Sequence, residues 1–218
     1  MAEKMALSYS YQAAREFYHP IWPEEAKPYL HLEPYVRCWF DPESMFGGKR
    51  VLELGAGECT YTRLIADRFR PRMIVGHELF VERMLPAVRA NRNLALSPVA
   101  GDCFSLPFRP GSFDVVFASL VLCELPDLTD VLAEAARVMT PGGVFLSWDP
   151  NPYNPVMLYR YLVKGRSANQ YLFWPHRVKP AFAAAGFDVE TRFFYARLPR
   201  VRSRLLGTCV GMLGRKRS

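Results

Sequence analysis

The sequence predicts an α/β protein built on a parallel sheet with helices over both faces. Three observations carry this. From Lys49 onward, short apolar strands alternate with helical periods, the pattern of repeated strand–helix crossovers. The run FDVVFASL is apolar almost throughout, as a strand buried on both faces must be. The chain has 218 residues, 50% of them hydrophobic, enough for one domain with a sizeable core.

Residues 1–48 are dense in aromatics: Tyr9, Tyr11, Phe17, Tyr18, Trp22, Tyr29, Tyr35, Trp39 and Phe40. SYQAAREFY reads as a short helix stopped by Pro20 and Pro23. DPES offers Asp41 as a helix cap with Pro42 in the first turn, and Gly47-Gly48 closes the segment. We expect an aromatic-rich helical cap here, with most rings packing and the rest lining a ligand. Residues 49–218 form the main domain.

In that domain RVLEL is the first strand, followed by Gly55-Ala56-Gly57 and a helix over roughly residues 60–69. MIVGHE is the second, with a helix around 83–91, and LALSPVAGD holds a third, weaker strand. FDVVFASL is the fourth. Leu128, Val131, Leu132, Ala135, Val138 and Met139 then recur at helical spacing, and TPGG is expected to terminate that helix. VFLSWD is the fifth strand, KPAFAAAGF a last helix, DVETRFFYA a sixth strand and TCVGMLGRK a seventh. Between them, VMLYRYLV (156–163) is apolar but for Arg160, and reads either as a substrate cover or as a helix packed on the sheet. The covering segment is expected over 150–180.

Charge divides the chain. Eight of its 28 basic residues follow Glu190, after which no acid occurs, leaving 20 basic against 21 acidic residues before it. Basicity therefore belongs to the tail, and the near-neutral body argues against a nucleic-acid partner. The five cysteines are scattered and include no CxxC, so neither a disulfide framework nor a structural zinc site is expected. His19, His31 and His77 make no metal-ligand spacing, and His176 reads as a loop residue rather than a base. No apolar run is long enough to span a membrane, and the start lacks a signal-peptide pattern; a cytoplasmic location is the expectation.

VLELGAGE is the strongest local signal. A glycine-rich turn after a buried strand lets a ligand approach the backbone, and the next helix begins there. Glu53 at the strand's end can accept from an ammonium group, and an acid beside an anion-binding helix start suits a zwitterionic amino acid. Glu78 ends the second strand, where a carboxylate can accept both hydroxyls of a ribose. Asp102, in GDCFSLPF, follows the third, where it can accept from an adenine amino group. In register along the carboxyl rim of one sheet, the three acids indicate a nucleoside ligand.

VLELGAGE, GDCFSLPFRPGSFDVVFASLVLCELPD and EAARVMTPGG together resemble the signature blocks of class I S-adenosylmethionine-dependent methyltransferases, in the branch acting on small molecules, lipids and quinones. The resemblance implies a Rossmann-like, seven-stranded, mostly parallel sheet with a C-terminal antiparallel strand. It implies that Glu53, Gly55, Ala56 and Gly57 hold the methionine part of S-adenosylmethionine, that Glu78 and Leu79 take the ribose, that Asp102 and Cys103 frame the adenine, and that Ser119 lies under the sulfonium. Cys59 stands where the family often has a third glycine, and its side chain is expected to narrow the methionine end.

The run DPNPYNP is similar to the base-gripping loop of amine methylases, but it follows the fifth strand where that loop would follow the fourth. It reads as a rigid turn. Glu124 is the candidate base. The function expected is methyl transfer to a small-molecule or lipid-like acceptor, at oxygen. RNA or protein methylation and a non-catalytic cofactor-binding role are the alternatives. A weak contact of the arginine-rich tail with an anionic membrane is a further expectation.

Overall fold

In the computed structural model of the protein, the described residues are 10–21, 24–25, 28, 32–37, 40–90, 96–163, 171–195 and 202–218. Tyr9, Trp22, Tyr29, His31, Cys38, Trp39, Arg197 and Arg200 lie outside them. In chain order the elements are α1 (Tyr11–Tyr18), α2 (Glu33–Arg37), α3 (Pro42–Phe46), β1 (Arg50–Leu54), α4 (Thr60–Phe69), β2 (Met73–Glu78), α5 (Val81–Ala90) and β3 (Leu96–Ala100). They continue with β4 (Phe113–Ser119), α6 (Thr129–Val138), β5 (Met139–Pro150), α7 (Pro155–Val163), α8 (Pro175–Ala184), β6 (Phe187–Phe194) and β7 (Cys209–Lys216).

The strands form one seven-stranded sheet in the order β3-β2-β1-β4-β5-β7-β6. The first five pair in parallel, and β7 runs antiparallel between β5 and β6. Alternation of side chains across the pleat divides the core in two. Leu52, Leu54, Val116, Ala118 and Phe145 pack under α6 and α8. Val51, Val115, Phe117, Leu146 and Trp148 pack on the opposite face with α3 and α4. Every apolar position expected on α6 is buried. The weak third strand is an edge strand carrying Pro98, which removes a ladder donor at little cost there.

Two local expectations change. TPGG does not stop α6: the helix ends at Val138, and β5 begins at Met139, opposite Phe113, before the register shifts to bring Val144 opposite Val115. His176 sits in the first turn of α8 rather than in a loop. At the N-terminus Ser10 caps α1 and Asp41 caps α3, each side chain accepting from a backbone N–H three residues on. Among the described residues, no helix is long and apolar enough to cross a membrane.

The chain order reverses between β1 and β4, where the crossovers leave the sheet in opposite directions. In an open α/β sheet this opens a crevice at the strands' carboxyl ends.

Candidate active site

A cavity of about 440 Å³ opens at that crevice. Its volume falls within the range of small-molecule sites. Glu53, Gly55, Ala56, Gly57, Glu78, Leu79, Asp102, Cys103, Ser119 and Glu124 all line it. The loops after β1, β2, β3 and β4 each supply part of the wall.

The turn after β1 is held open by conformation. Gly55 and Gly57 have φ of 62° and 54°. A Cβ on Gly57 would stand 2.8 Å from Arg83 Nη2, and one on Gly55 would stand 2.5 Å from Val121 Cγ2. Both positions need glycine for the backbone path, and Gly55 needs it for the space as well. Glu78 buttresses the turn from β2: its Oε2 accepts from Gly57 N–H at 2.7 Å and its Oε1 from Phe80 N–H at 3.2 Å. A carboxylate has about four acceptor positions, so the diol of a ribose can still be accepted there.

Glu53 is fully enclosed, and burial pushes its carboxyl up to about 8, although the Thr62 hydroxyl donates to it. An ammonium group against it would restore the ionised form. Asp102 accepts from Phe104 N–H at 2.9 Å through Oδ1. Beside it, burial pushes the Cys103 thiol up to about 12. Ser119, at the end of β4, lines the cavity together with Tyr61. These groups fit an adenosyl amino acid, with acceptors for its amine, its diol and its ammonium around a turn stripped of side chains.

Cys59 does not narrow this space. It adopts the left-handed conformation, φ 54°, at the N-cap of α4, and its side chain turns into a small cluster with Ala56, Met84 and Ala87. The residue has no surface in the cavity wall. Its consequence is backbone strain, since a side chain at such a φ is disfavoured.

Four side chains in or beside the wall have no individual role from the sequence, although Tyr11 and Tyr18 belong to the aromatic set of which part is expected to line a ligand. Tyr11, Arg15 and Tyr18 recur at i, i+4 and i+7, so they share one face of α1. The Tyr11 hydroxyl donates to Asp102 Oδ2 at 2.5 Å, Arg15 pairs with Glu82 at 2.9 Å, and the Tyr18 hydroxyl donates to Glu124. Arg83, on α5, approaches Glu58 at 3.6 Å, Glu78 at 3.7 Å and the Tyr18 ring at 4.3 Å. Burial raises the Glu124 carboxyl above the ordinary range, while the Tyr18 hydrogen bond and the Arg83 charge oppose that shift.

The loop after β5 faces elsewhere. Asn151 Nδ2 donates to the carbonyls of Arg204 and Gly207, and Asn154 Nδ2 to those of Leu205 and Leu206. The Tyr153 ring packs against Trp174 and Phe193. Its hydroxyl meets His176 Nδ1 at 3.1 Å. Only Pro150 from this run reaches the cavity. Asp149 is buried behind it, with Oδ1 accepting from Cys123 N–H at 2.9 Å, and burial raises its carboxyl to about 7.

Residues 52–147 match the protein family described as Methyltransferase domain. A fatty-acid O-methyltransferase of Mycolicibacterium smegmatis is 36% identical over 105 residues, a match covering 48% of this chain and 38% of that protein. Squalene methyltransferase 1 of Botryococcus braunii is 31% identical over 112 residues, covering 48% of this chain and 29% of that protein. The chain thus spans well under half the length of either relative. Among solved structures, an S-adenosylmethionine-dependent methyltransferase from Mesorhizobium loti superposes with a TM-score of 0.67 at 18% identity, covering 85% of this chain and 98% of that one.

Proposed function

We propose that residues 52–147, which match the methyltransferase domain family, form a class I methyltransferase domain using S-adenosylmethionine, and that the chain methylates a neutral, lipid-like or small acceptor at a hydroxyl oxygen. One observation carries the choice of acceptor. Beyond the acidic cradle the wall is apolar, including Leu32, Leu79, Phe80, Phe104, Leu120 and Val121, and Arg83 is the sole Lys or Arg among the described lining residues. Arg83 is already engaged by Glu58, Glu78 and Tyr18. A phosphate or a free carboxylate entering there would meet Glu53, Glu58, Glu78, Asp102 and Glu124 with little opposing charge. A neutral hydroxyl on an apolar body meets no such opposition.

When bound, the cofactor supplies an activated methyl group on a neutral leaving group, so the protein's contribution is alignment and proton handling. Glu53 would hold the ammonium, the Gly55–Gly57 turn the amino-acid backbone, Glu78 and Leu79 the ribose, and Asp102 and Cys103 the adenine. Ser119 would border the reacting end. Glu124 would take the acceptor's proton, with Tyr18 fixing the orientation of its carboxylate. The apolar wall and the helix laid across the mouth exclude water. The N-terminal segment acts as a cap over the domain in this reading.

The test is an acceptor panel with methyl-labelled cofactor, comparing long-chain alcohols and phenols with fatty acids and with RNA. Turnover of hydroxylated apolar acceptors is expected. Preferential labelling of RNA or of free carboxylates would overturn the assignment.

A further inference from the structure

Beside the mouth lies a face that methyl transfer leaves unused. Helix α7 is mostly apolar, yet none of its residues is buried. A helix of that composition ordinarily turns its apolar side to a core. Here Val156, Tyr159, Leu162 and Val163 point outward, each between 56% and 62% exposed. The turn before β7 continues the face with Leu205 and Leu206, 62% and 63% exposed.

The two segments are fixed to one another. The Asn154 amide donates to the carbonyls of Leu205 and Leu206 at 3.0 and 3.1 Å, and the Asn151 amide to those of Arg204 and Gly207 at 2.8 and 2.7 Å. Both asparagines are buried. The apolar surface is therefore presented by a built structure rather than by a loose end.

Charge indicates what it meets. The sequence from Asn151 to Phe187 holds Arg160, Lys164, Arg166, Arg177 and Lys179 and no acid, and none follows Glu190. Arg160, Arg202 and Arg204 are exposed in or beside the face. Aliphatic side chains fringed by cations alone complement an anionic bilayer, with the apolar groups at the acyl boundary and the guanidinium groups among the headgroups. A nucleic acid would engage the charges and leave the leucines in water. A second copy of the chain would set like charges against each other.

Position ties the face to the cavity. Antiparallel pairing sets Cys209 opposite Pro150, so the turn before β7 and helix α7 after β5 stand on the same edge of the sheet as the mouth. Pro150 itself lines the cavity. We propose that α7 and the 202–206 turn are a docking face for an anionic lipid surface, which turns the mouth toward the membrane. This surface goes beyond the methyl-transfer reading and does not depend on it.

The full chain is to be sedimented with vesicles of phosphatidylcholine, alone and mixed with phosphatidylglycerol. Binding to the mixed vesicles that falls as salt rises is expected, with Arg160→Gln and Arg202→Gln each weakening partition about fivefold. The double variant Leu162→Ser/Leu206→Ser should lose vesicle binding while keeping the melting temperature and the affinity for S-adenosylhomocysteine. Equal vesicle binding by that variant would overturn the proposal. So would RNA retention without vesicle binding, or a wild-type dimer that the double variant dissolves.

Discussion

The Tyr11 hydroxyl donates to Asp102 Oδ2 at 2.5 Å, joining residues 91 positions apart. With Arg15 on Glu82 and Tyr18 on Glu124, it lays α1 across the mouth on three polar latches, two of them to acids of the cavity wall. Asp102 is the acid proposed to meet the adenine, so the cap and the cofactor share one carboxylate.

Loosening this latch should speed ligand escape. Tyr11 is largely exposed, so water replaces much of what a substitution removes, and the loss is on the order of 1 kcal/mol. Tyr11→Phe is expected to raise the dissociation rate of S-adenosylhomocysteine about fivefold, read by stopped-flow fluorescence. An unchanged rate would mean that α1 is no barrier to release.

Glu124 supplies the second prediction. A base must be ionised to act, so the rate should rise with pH through an inflection above the ordinary glutamate value, as burial raises this carboxyl. The Tyr18 hydrogen bond lowers the carboxyl's pKa, so Tyr18→Phe should move the inflection upward. Glu124→Gln should cost roughly 100-fold in kcat and erase the inflection. A pH–rate series on the three proteins decides it, and near-normal turnover by Glu124→Gln would remove the residue from the mechanism.

The central sheet is legible in the sequence because β1 and β4 are buried on both faces and are mostly apolar, with VVFA unbroken in β4. The wall acids are legible because each stands at or just past a strand's carboxyl end, where topology alone puts it on the rim. The latches are not, since Tyr11 and Tyr18 reach partners 91 and 106 residues away through tertiary packing. Their spacing on one helix face is the only local trace. Cys59 misleads for another reason: sequence gives its position in the turn but not its left-handed φ, which turns the thiol away from the cavity. Asn151 and Asn154 look like turn residues, and their role as staples depends on carbonyls some fifty residues later.

Asp149 should weaken the fold as the medium becomes less acidic. Its folded pKa of about 7 lies above the unfolded value near 4. Across that interval the folded state keeps a proton that the unfolded state has released. The stabilisation is full below the unfolded value and is lost as pH rises to about 7. Asparagine keeps an acceptor for Cys123 N–H and carries no charge. Asp149→Asn should therefore gain on the wild type between pH 5 and pH 7, by at most about 3 kcal/mol, and level off above. Urea titrations over this range measure it, and a gap that shrinks with pH would contradict the sign.

The Glu53 carboxyl makes cofactor binding a proton-linked event. Burial holds it at about 8, so at neutral pH it is mostly protonated before the ligand arrives. An ammonium group placed against it favours the ionised form, and the proton must leave as the complex forms. Near pH 7, binding of S-adenosylhomocysteine should release about 0.9 proton, and affinity should rise close to tenfold between pH 6 and pH 7. Calorimetry in buffers of different ionisation enthalpy counts the proton directly. Methylthioadenosine, which lacks the amino-acid end, should bind with no such linkage, and Glu53→Gln should abolish it for S-adenosylhomocysteine. Equal proton release by the two ligands would show that the titrating group is not the carboxyl facing the ammonium, and Glu53 would lose its assigned role.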